Sequence, residues 1–283
     1  MAARLKIACV QTTAGPDIAA NLAAVGRLVR DAAAAGAEFV LLPENVARMA
    51  PADAQRAGRQ SEAEHPAFAA FRDLAVETGV WLLAGSIAVA ADGDQLANRS
   101  LLFDRSGRVV GRYDKIHMFD VDLAGGESYR ESASFRAGER ACLAATPWGG
   151  LGMTVCYDLR FPQLYRALAQ AGAVMLSVPS AFTVATGRAH WHVLARARAI
   201  ETGCFLFAPA QCGNHYGRRR TYGHSLIVDP WGEILAEAGD EPGVIAAEID
   251  LAAVATARAM VPSLAHERAF APPSPTEARS AAE

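Results

Sequence analysis

Three side chains that could work together chemically stand at the ends of apolar runs: Glu44 in FVLLPEN, Lys115 in YDKIHMFD and Cys156 in LGMTVCYDLRFPQLYR. A cysteine becomes a nucleophile when a base takes its proton, and a carboxylate can be that base. The oxyanion formed when a thiolate attacks a carbonyl needs positive charge or amide hydrogens beside it. Lysine supplies the charge, and the backbone N–H of Tyr157, next to Cys156, supplies the amide. Each residue also has a plainer reading. Free cysteines are among the most buried residue types and are often inert. Glu44 fits a cap or an ion pair, and Lys115 fits a solvated surface position.

The elements around these residues have to bring them together. Leu151 to Cys156 reads as a short apolar strand, followed by a turn through Tyr157, Asp158 and Arg160, with Pro162 where a helix can begin. Such a junction exposes the sulfur, and a helix N-terminus favours the thiolate. Upstream, Lys6–Gln11 and Phe39–Leu42 read as buried strands on either side of a helix over Asn21–Gly36, capped by Gly36. Residues 47–61 suggest a surface loop or irregular helix, and Pro66–Thr78 a helix with Phe68, Phe71, Leu74 and Ala75 on one face. Val80–Val89 reads as one strand with an internal glycine, and Leu96–Phe103 with Val109–Tyr113 as a hairpin. Asp120–Arg140, carrying Gly125, Gly126 and Gly138, reads as a long functional loop. Beyond Cys156 the pattern predicts helices over Gln163–Gln170 and Ala189–Thr202. It predicts strands over Val174–Val178, Phe205–Ala210, His224–Val228 and Val244–Ile249. Non-alternating apolar strands with helices between them indicate an α/β layered fold. In such folds the strand ends gather at one rim, where ligands bind.

The chain has 283 residues, 52% of them hydrophobic, enough for a substantial core. No linker or composition break divides it, so one domain is expected over residues 4–265. A tail over residues 266–283 is Pro- and Ala-rich toward its end and predicted to be partly disordered. A net charge of -3 gives no electrostatic case for nucleic acid or an anionic membrane surface. No signal peptide or bilayer-length apolar run is seen, which predicts a cytoplasmic protein. The five cysteines have no CxxC pair, which argues against a disulfide framework or a zinc site and for a reducing compartment.

In order and spacing the three motifs resemble those of the nitrilase superfamily of carbon–nitrogen hydrolases, and the likeness runs from KIACVQ to about His266. The resemblance implies a four-layer αββα sandwich and a Glu-Lys-Cys triad. Glu44 would act as base, Cys156 as nucleophile, and Lys115 with the Tyr157 N–H as oxyanion partners. YRESASFRAG resembles the segment carrying a second glutamate, which makes Glu131 the residue that orients Lys115. The implied reaction is amide hydrolysis to acid and ammonia through a thioester, with no metal or organic cofactor. The family's habit of pairing through helices near the cysteine motif implies a homodimer or higher homo-oligomer. Residues 180–213 and the RRTYGHSLIVDPWGEI stretch resemble the branch that includes deaminated glutathione amidase, although Asn214 and Tyr216 depart from its pattern. An ω-amidase for a small acidic amide is the alternative. More distant are a glutaminase domain fused to a synthetase, which calls for a far longer chain, a transmembrane acyltransferase, which calls for apolar spans, and a non-catalytic protein on the same fold, which an altered Glu, Lys or Cys would have suggested.

Small acidic amides call for arginine, the natural bidentate partner of a carboxylate. Arg160 is the first candidate, with an ion pair to Asp158 as its structural alternative. Phe182 and Thr186, expected in a loop after a strand, are candidate pocket residues, and Phe182 fits the core equally well. Arg219 is a further candidate within the run Arg218–Arg220, a run that otherwise reads as solvated surface. His190 and His192 are two apart and so face different sides of a helix, which favours packing or hydrogen bonding over a metal site. His117 and His224 are expected to be structural hydrogen-bonders.

Overall fold

The computed structural model describes residues 4–123 and 126–272. In chain order the elements begin β1 (Arg4–Gln11), α1 (Ile18–Ala34), β2 (Phe39–Leu41), α2 (Ala52–Ala57), α3 (Pro66–Thr78), β3 (Trp81–Leu83) and β4 (Ile87–Ala90). Next come β5 (Leu96–Phe103), β6 (Val109–Asp114), β7 (Asp120–Asp122), β8 (Ser128–Arg130), β9 (Cys142–Thr146), β10 (Gly149–Met153), α4 (Pro162–Gln170) and β11 (Ala173–Ser177). The chain closes with α5 (Val184–Thr202), β12 (Phe205–Ala208), β13 (Cys212–Tyr216), β14 (Arg219–Tyr222), β15 (Leu226–Val228), β16 (Ile234–Glu237), β17 (Gly243–Asp250) and α6 (Ala252–Met260).

Two sheets carry the fold. One has the order β17-β1-β2-β3-β5-β4, with β6 also paired to β5, and the other has the order β16-β15-β12-β11-β10-β9. Strand β1 shows why both faces are covered. Leu5, Ile7 and Cys9 join a cluster with Leu151, Met153, Met175 and Leu206 of the second sheet. The alternate residues Ala8 and Val10 pack with Val25 and Val29 of α1 and Phe71 and Leu74 of α3. A strand buried on both faces has no need of polar alternation, which accounts for the continuous apolar runs. Helices α4 and α5 cover the second sheet, packing on β10, β11 and β12. The result is the expected αββα sandwich.

Several local expectations are corrected. Val80–Val89 is two strands, because Gly85 adopts φ +56 and turns the chain between them. The stretch Asp120–Arg140 is no open loop: β7 and β8 form a hairpin, followed by a 3-10 turn over Glu131–Ala133. Gly125 lies outside the described residues. Helix α1 ends at Ala34 with Ala35 as its cap, and Gly36 follows at φ +89. Strand β9, the hairpin β13–β14, strand β16 and helix α6 had no counterpart in the pattern reading. Of the tail, residues 266–272 carry no helix or strand, and Glu267 bonds Arg166 and Gln170. The expectation for residues 273–283 lies outside the described residues. Among the described residues no helix is long and apolar enough to cross a membrane.

Candidate active site

Glu44 is placed by a tight double turn. Gly85 packs so closely on the chain before it that a Cβ there would lie 2.0 Å from the Pro43 carbonyl oxygen. Asn45, at φ +52, donates its N–H to Ser86 Oγ at 3.0 Å. Lys115 follows β6 directly. Its N–H donates to the Asn98 carbonyl at 3.0 Å, and its own carbonyl accepts from Gly138 at 2.8 Å. Cys156 opens a 3-10 turn over Cys156–Arg160 at φ +48, a left-handed conformation uncommon outside glycine. The buried Asp158 carboxylate holds that turn. It accepts from Val155 N at 2.8 Å, Tyr113 Oη at 2.6 Å and His117 N at 3.1 Å, and His117 Nδ1 lies 2.7 Å away. Backbone strain of this kind persists only where its surroundings impose it, and functional sites are where it collects.

These turns converge on one cavity of about 250 Å³, lined by Glu44, Lys115, Glu131 and Cys156 among others. Lys115 Nζ lies 3.0 Å from Glu44 Oε1 and 3.0 and 2.8 Å from the two oxygens of Glu131. Glu131, delivered by the β7–β8 hairpin, also accepts from the Phe119 N–H at 2.7 Å. Lys115 and Glu44 are only 2% and 3% exposed, so their charges compensate each other with little help from solvent. Burial disfavours the Lys115 ammonium, but Glu131 and Glu44 outweigh it and hold its pKa well above the ordinary lysine value. Burial, then the Glu44 charge, pushes the Cys156 thiol well above the ordinary range, although Lys115 acts against this. The resting site therefore holds a neutral thiol beside an ammonium and carboxylates. A proton acceptor within reach is then a requirement for reactivity.

Two contributors escaped the sequence reading. The Asn98 side chain, on β5, donates to Glu44 Oε1 at 2.9 Å and to Glu131 Oε1 at 3.3 Å. The Ala181 backbone, in the cavity wall, favours the ionised form of the Cys156 thiol. Nothing in the local sequence marks Ala181. Asn98 carried one signal, a polar side chain inside an apolar strand.

The candidate substrate residues separate. Tyr157, Phe182, Thr186 and Arg219 line the cavity. Thr186 lies in the first turn of α5 and not in a loop, and its Oγ1 is 2.8 Å from that of the capping Thr183. Phe182 packs against Trp191 at 4.8 Å. Arg219 donates to the Ala181 carbonyl at 2.8 Å and lies over the Tyr129 ring at 4.9 Å. Its neighbours Arg218 and Arg220 are exposed. Arg160 stands outside the lining. Its guanidinium covers the Tyr157 and Phe182 rings at 5.8 and 5.5 Å, with both terminal nitrogens 3.3 Å from His190 Nδ1. The alternative ion pair with Asp158 does not form, because four other groups already occupy that carboxylate.

The family model for carbon-nitrogen hydrolases matches residues 6–259. The chain belongs to the carbon–nitrogen hydrolase family. A relative from Yersinia enterocolitica, named deaminated glutathione amidase, is 41% identical over 93% of this chain and 92% of its own. The Caenorhabditis elegans NitFhit protein superposes with a TM-score of 0.87 at 36% identity, over 94% of this chain and 65% of that one. Saccharomyces cerevisiae Nit3, a member of branch 10 of the nitrilase superfamily, superposes with a TM-score of 0.83 at 31% identity, over 92% and 94% of the two chains.

Proposed function

We propose that this carbon–nitrogen hydrolase is an amidase that cleaves a small carboxylate-bearing amide through a thioester on Cys156. The observation that carries the reading is Lys115, which bridges Glu44 and Glu131 inside a cavity walled by Cys156. Glu44 takes the thiol proton as the sulfur attacks the amide carbonyl. The thiolate charge replaces the carboxylate charge, so the buried site keeps its net charge through the step. Lys115 Nζ and the Tyr157 N–H hold the oxyanion. Collapse of the tetrahedral intermediate breaks the C–N bond, and the proton on Glu44 leaves with the nitrogen. Glu44 then deprotonates water, which attacks the thioester and releases the acid and the thiol. Glu131 keeps Lys115 charged and aimed, and the Ala181 backbone steadies the sulfur anion.

Deaminated glutathione is the substrate this reading favours, because relatives at about 41% identity over 93% of the chain carry that name. Its amide bonds are secondary, so the leaving group is an amine and not the ammonia expected from the sequence. Arg219 in the cavity wall and Arg160 above Tyr157 and Phe182 are the guanidiniums available to carboxylates at its ends. The deciding experiment measures kcat/KM for deaminated glutathione against α-ketoglutaramate. Preference for the first is expected; preference for the second would replace this substrate with that of an ω-amidase. Two further expectations belong to the reading. Five free cysteines suit a reducing compartment such as the cytoplasm. Exposed Val193 and Ile200 on α5 suit a homodimer, which sedimentation would detect.

A further inference from the structure

Away from the cavity, ligand atoms of His192, His224 and Glu237 lie within 4.8 Å of one another. They come from three places: α5, the turn between β14 and β15, and the last residue of β16. His192 Nε2 and His224 Nδ1 both contact the same oxygen, Glu237 Oε1, at 2.8 and 2.9 Å. The other nitrogen of His224, Nε2, lies 3.3 Å from Asp240 Oδ1.

A neutral imidazole has one N–H and one lone pair. His224 meets a carboxylate at each nitrogen, so in its neutral form one contact sets a lone pair against an anion. A cation taking the place of the Nδ1 proton removes the conflict, because Nε2–H then donates to Asp240. Metal-bound histidines are commonly held in this way, with a carboxylate behind the second nitrogen. The ring is also fixed in place. Tyr222 stacks on it at 4.3 Å, Trp191 Nε1 donates to the His224 carbonyl at 2.7 Å, and the backbone is held at φ +55.

We infer that His192, His224 and Glu237 form a binding site for a divalent transition cation of the zinc or nickel class, with water completing its shell. Mixed imidazole and carboxylate donors suit these ions, whereas magnesium and calcium prefer all-oxygen sites. Metal–nitrogen bonds of about 2.0–2.1 Å in a tetrahedral shell set ligand atoms roughly 3.3 Å apart. The present contacts of 2.8 and 2.9 Å must therefore open slightly, which the partly exposed Glu237 side chain allows. Binding releases the proton that the coordinating nitrogen carried. In the adjoining cleft Arg188 and Arg220 oppose a cation, while Asp240 and Glu241 favour one. The ion would clamp α5, whose first turn carries Thr186 into the cavity wall, to the edge strand β16.

The test adds cobalt(II) to the full chain and reads the visible spectrum of the parent, His192→Ala, Glu237→Gln and Cys156→Ser. Zinc is tested by its effect on Tm. The parent and Cys156→Ser are expected to show saturable d–d bands without strong thiolate absorption. Both site variants should lose about tenfold or more in affinity, and zinc should raise the Tm of the parent but not of the variants. Metal-free circular dichroism separates a lost ligand from a lost fold, and the two variants lie on different elements. Thiolate absorption that disappears in Cys156→Ser overturns the inference. So does equal affinity in folded site variants, or no saturable binding by the parent.

Discussion

Asn98 donates its side-chain amide to Glu44 Oε1 at 2.9 Å, and the same Nδ2 reaches Glu131 at 3.3 Å. Among the described residues its Oδ1 is buried without a partner. The reverse orientation would set that oxygen against two carboxylates, so the amide orientation follows from electrostatics. Asn98→Asp adds a third carboxylate to the cluster, and like charges favour the protonated forms. We expect the acid limb of the kcat–pH profile to move to higher pH and kcat to fall about tenfold or more. Asn98→Ser should lower kcat with a smaller movement of that limb. An unmoved profile in folded Asn98→Asp would leave Asn98 with a packing role alone.

Cys156→Ala is expected to abolish turnover, by roughly 10⁴-fold or more, with the circular dichroism spectrum retained. Full activity in that variant would sink the nucleophile assignment. Lys115→Met should be comparably inactive, because it removes the charge placed for the oxyanion and leaves the buried Glu44 and half-buried Glu131 carboxylates uncompensated. Its urea midpoint should fall as well.

Alkylation of Cys156 by iodoacetamide reports on the thiol. Burial and the Glu44 charge hold its pKa well above the ordinary value, so the alkylation rate should still be rising above pH 9 or so. Glu44→Gln removes one of the two raising influences, and the alkylation midpoint should then move down. Hydrolysis in the same variant should fall by about 10²–10⁴, because the base is gone. A midpoint that moves up would contradict the electrostatic account.

Gly85→Ala tests the turn that places Glu44. A side chain at φ +56, with its Cβ 2.0 Å from Pro43 O and 2.3 Å from Leu42 O, must displace backbone. A loss of about 3 kcal/mol or more in urea denaturation is expected, with lower activity in the protein that does fold. Stability within roughly 0.5 kcal/mol of the parent would show that the turn yields.

Substrate recognition can be divided between two arginines. Losing a charge-assisted hydrogen bond costs about 1.5–3 kcal/mol, roughly ten- to a hundredfold in kcat/KM. Arg219→Met should show that loss on a carboxylate-bearing amide and little change on an uncharged one, while Arg160→Met reports the same for the rim above Phe182. Equal losses on both substrates would assign the residue to scaffolding.

The sequence alone determined which residue types could do the chemistry and that they stand at strand ends. It also determined that strands buried on both faces need helices outside two sheets. These are local properties: the apolar runs, Pro43 and Pro162, and the motifs around Glu44, Lys115 and Cys156 can all be read within a few residues. What only the tertiary structure decided is which side chains meet. Glu44 and Lys115 are 71 positions apart, and Asn98 reaches Glu44 across 54. Glu131 depends on a hairpin whose three-residue strands are too short to leave an alternating pattern. Ala181 acts through its backbone, which no side-chain pattern encodes. Arg160 had two readings, a substrate carboxylate or an ion pair with Asp158, and packing removed the second: Tyr113 and His117, distant in sequence, and the nearby Val155 N–H already occupy that carboxylate.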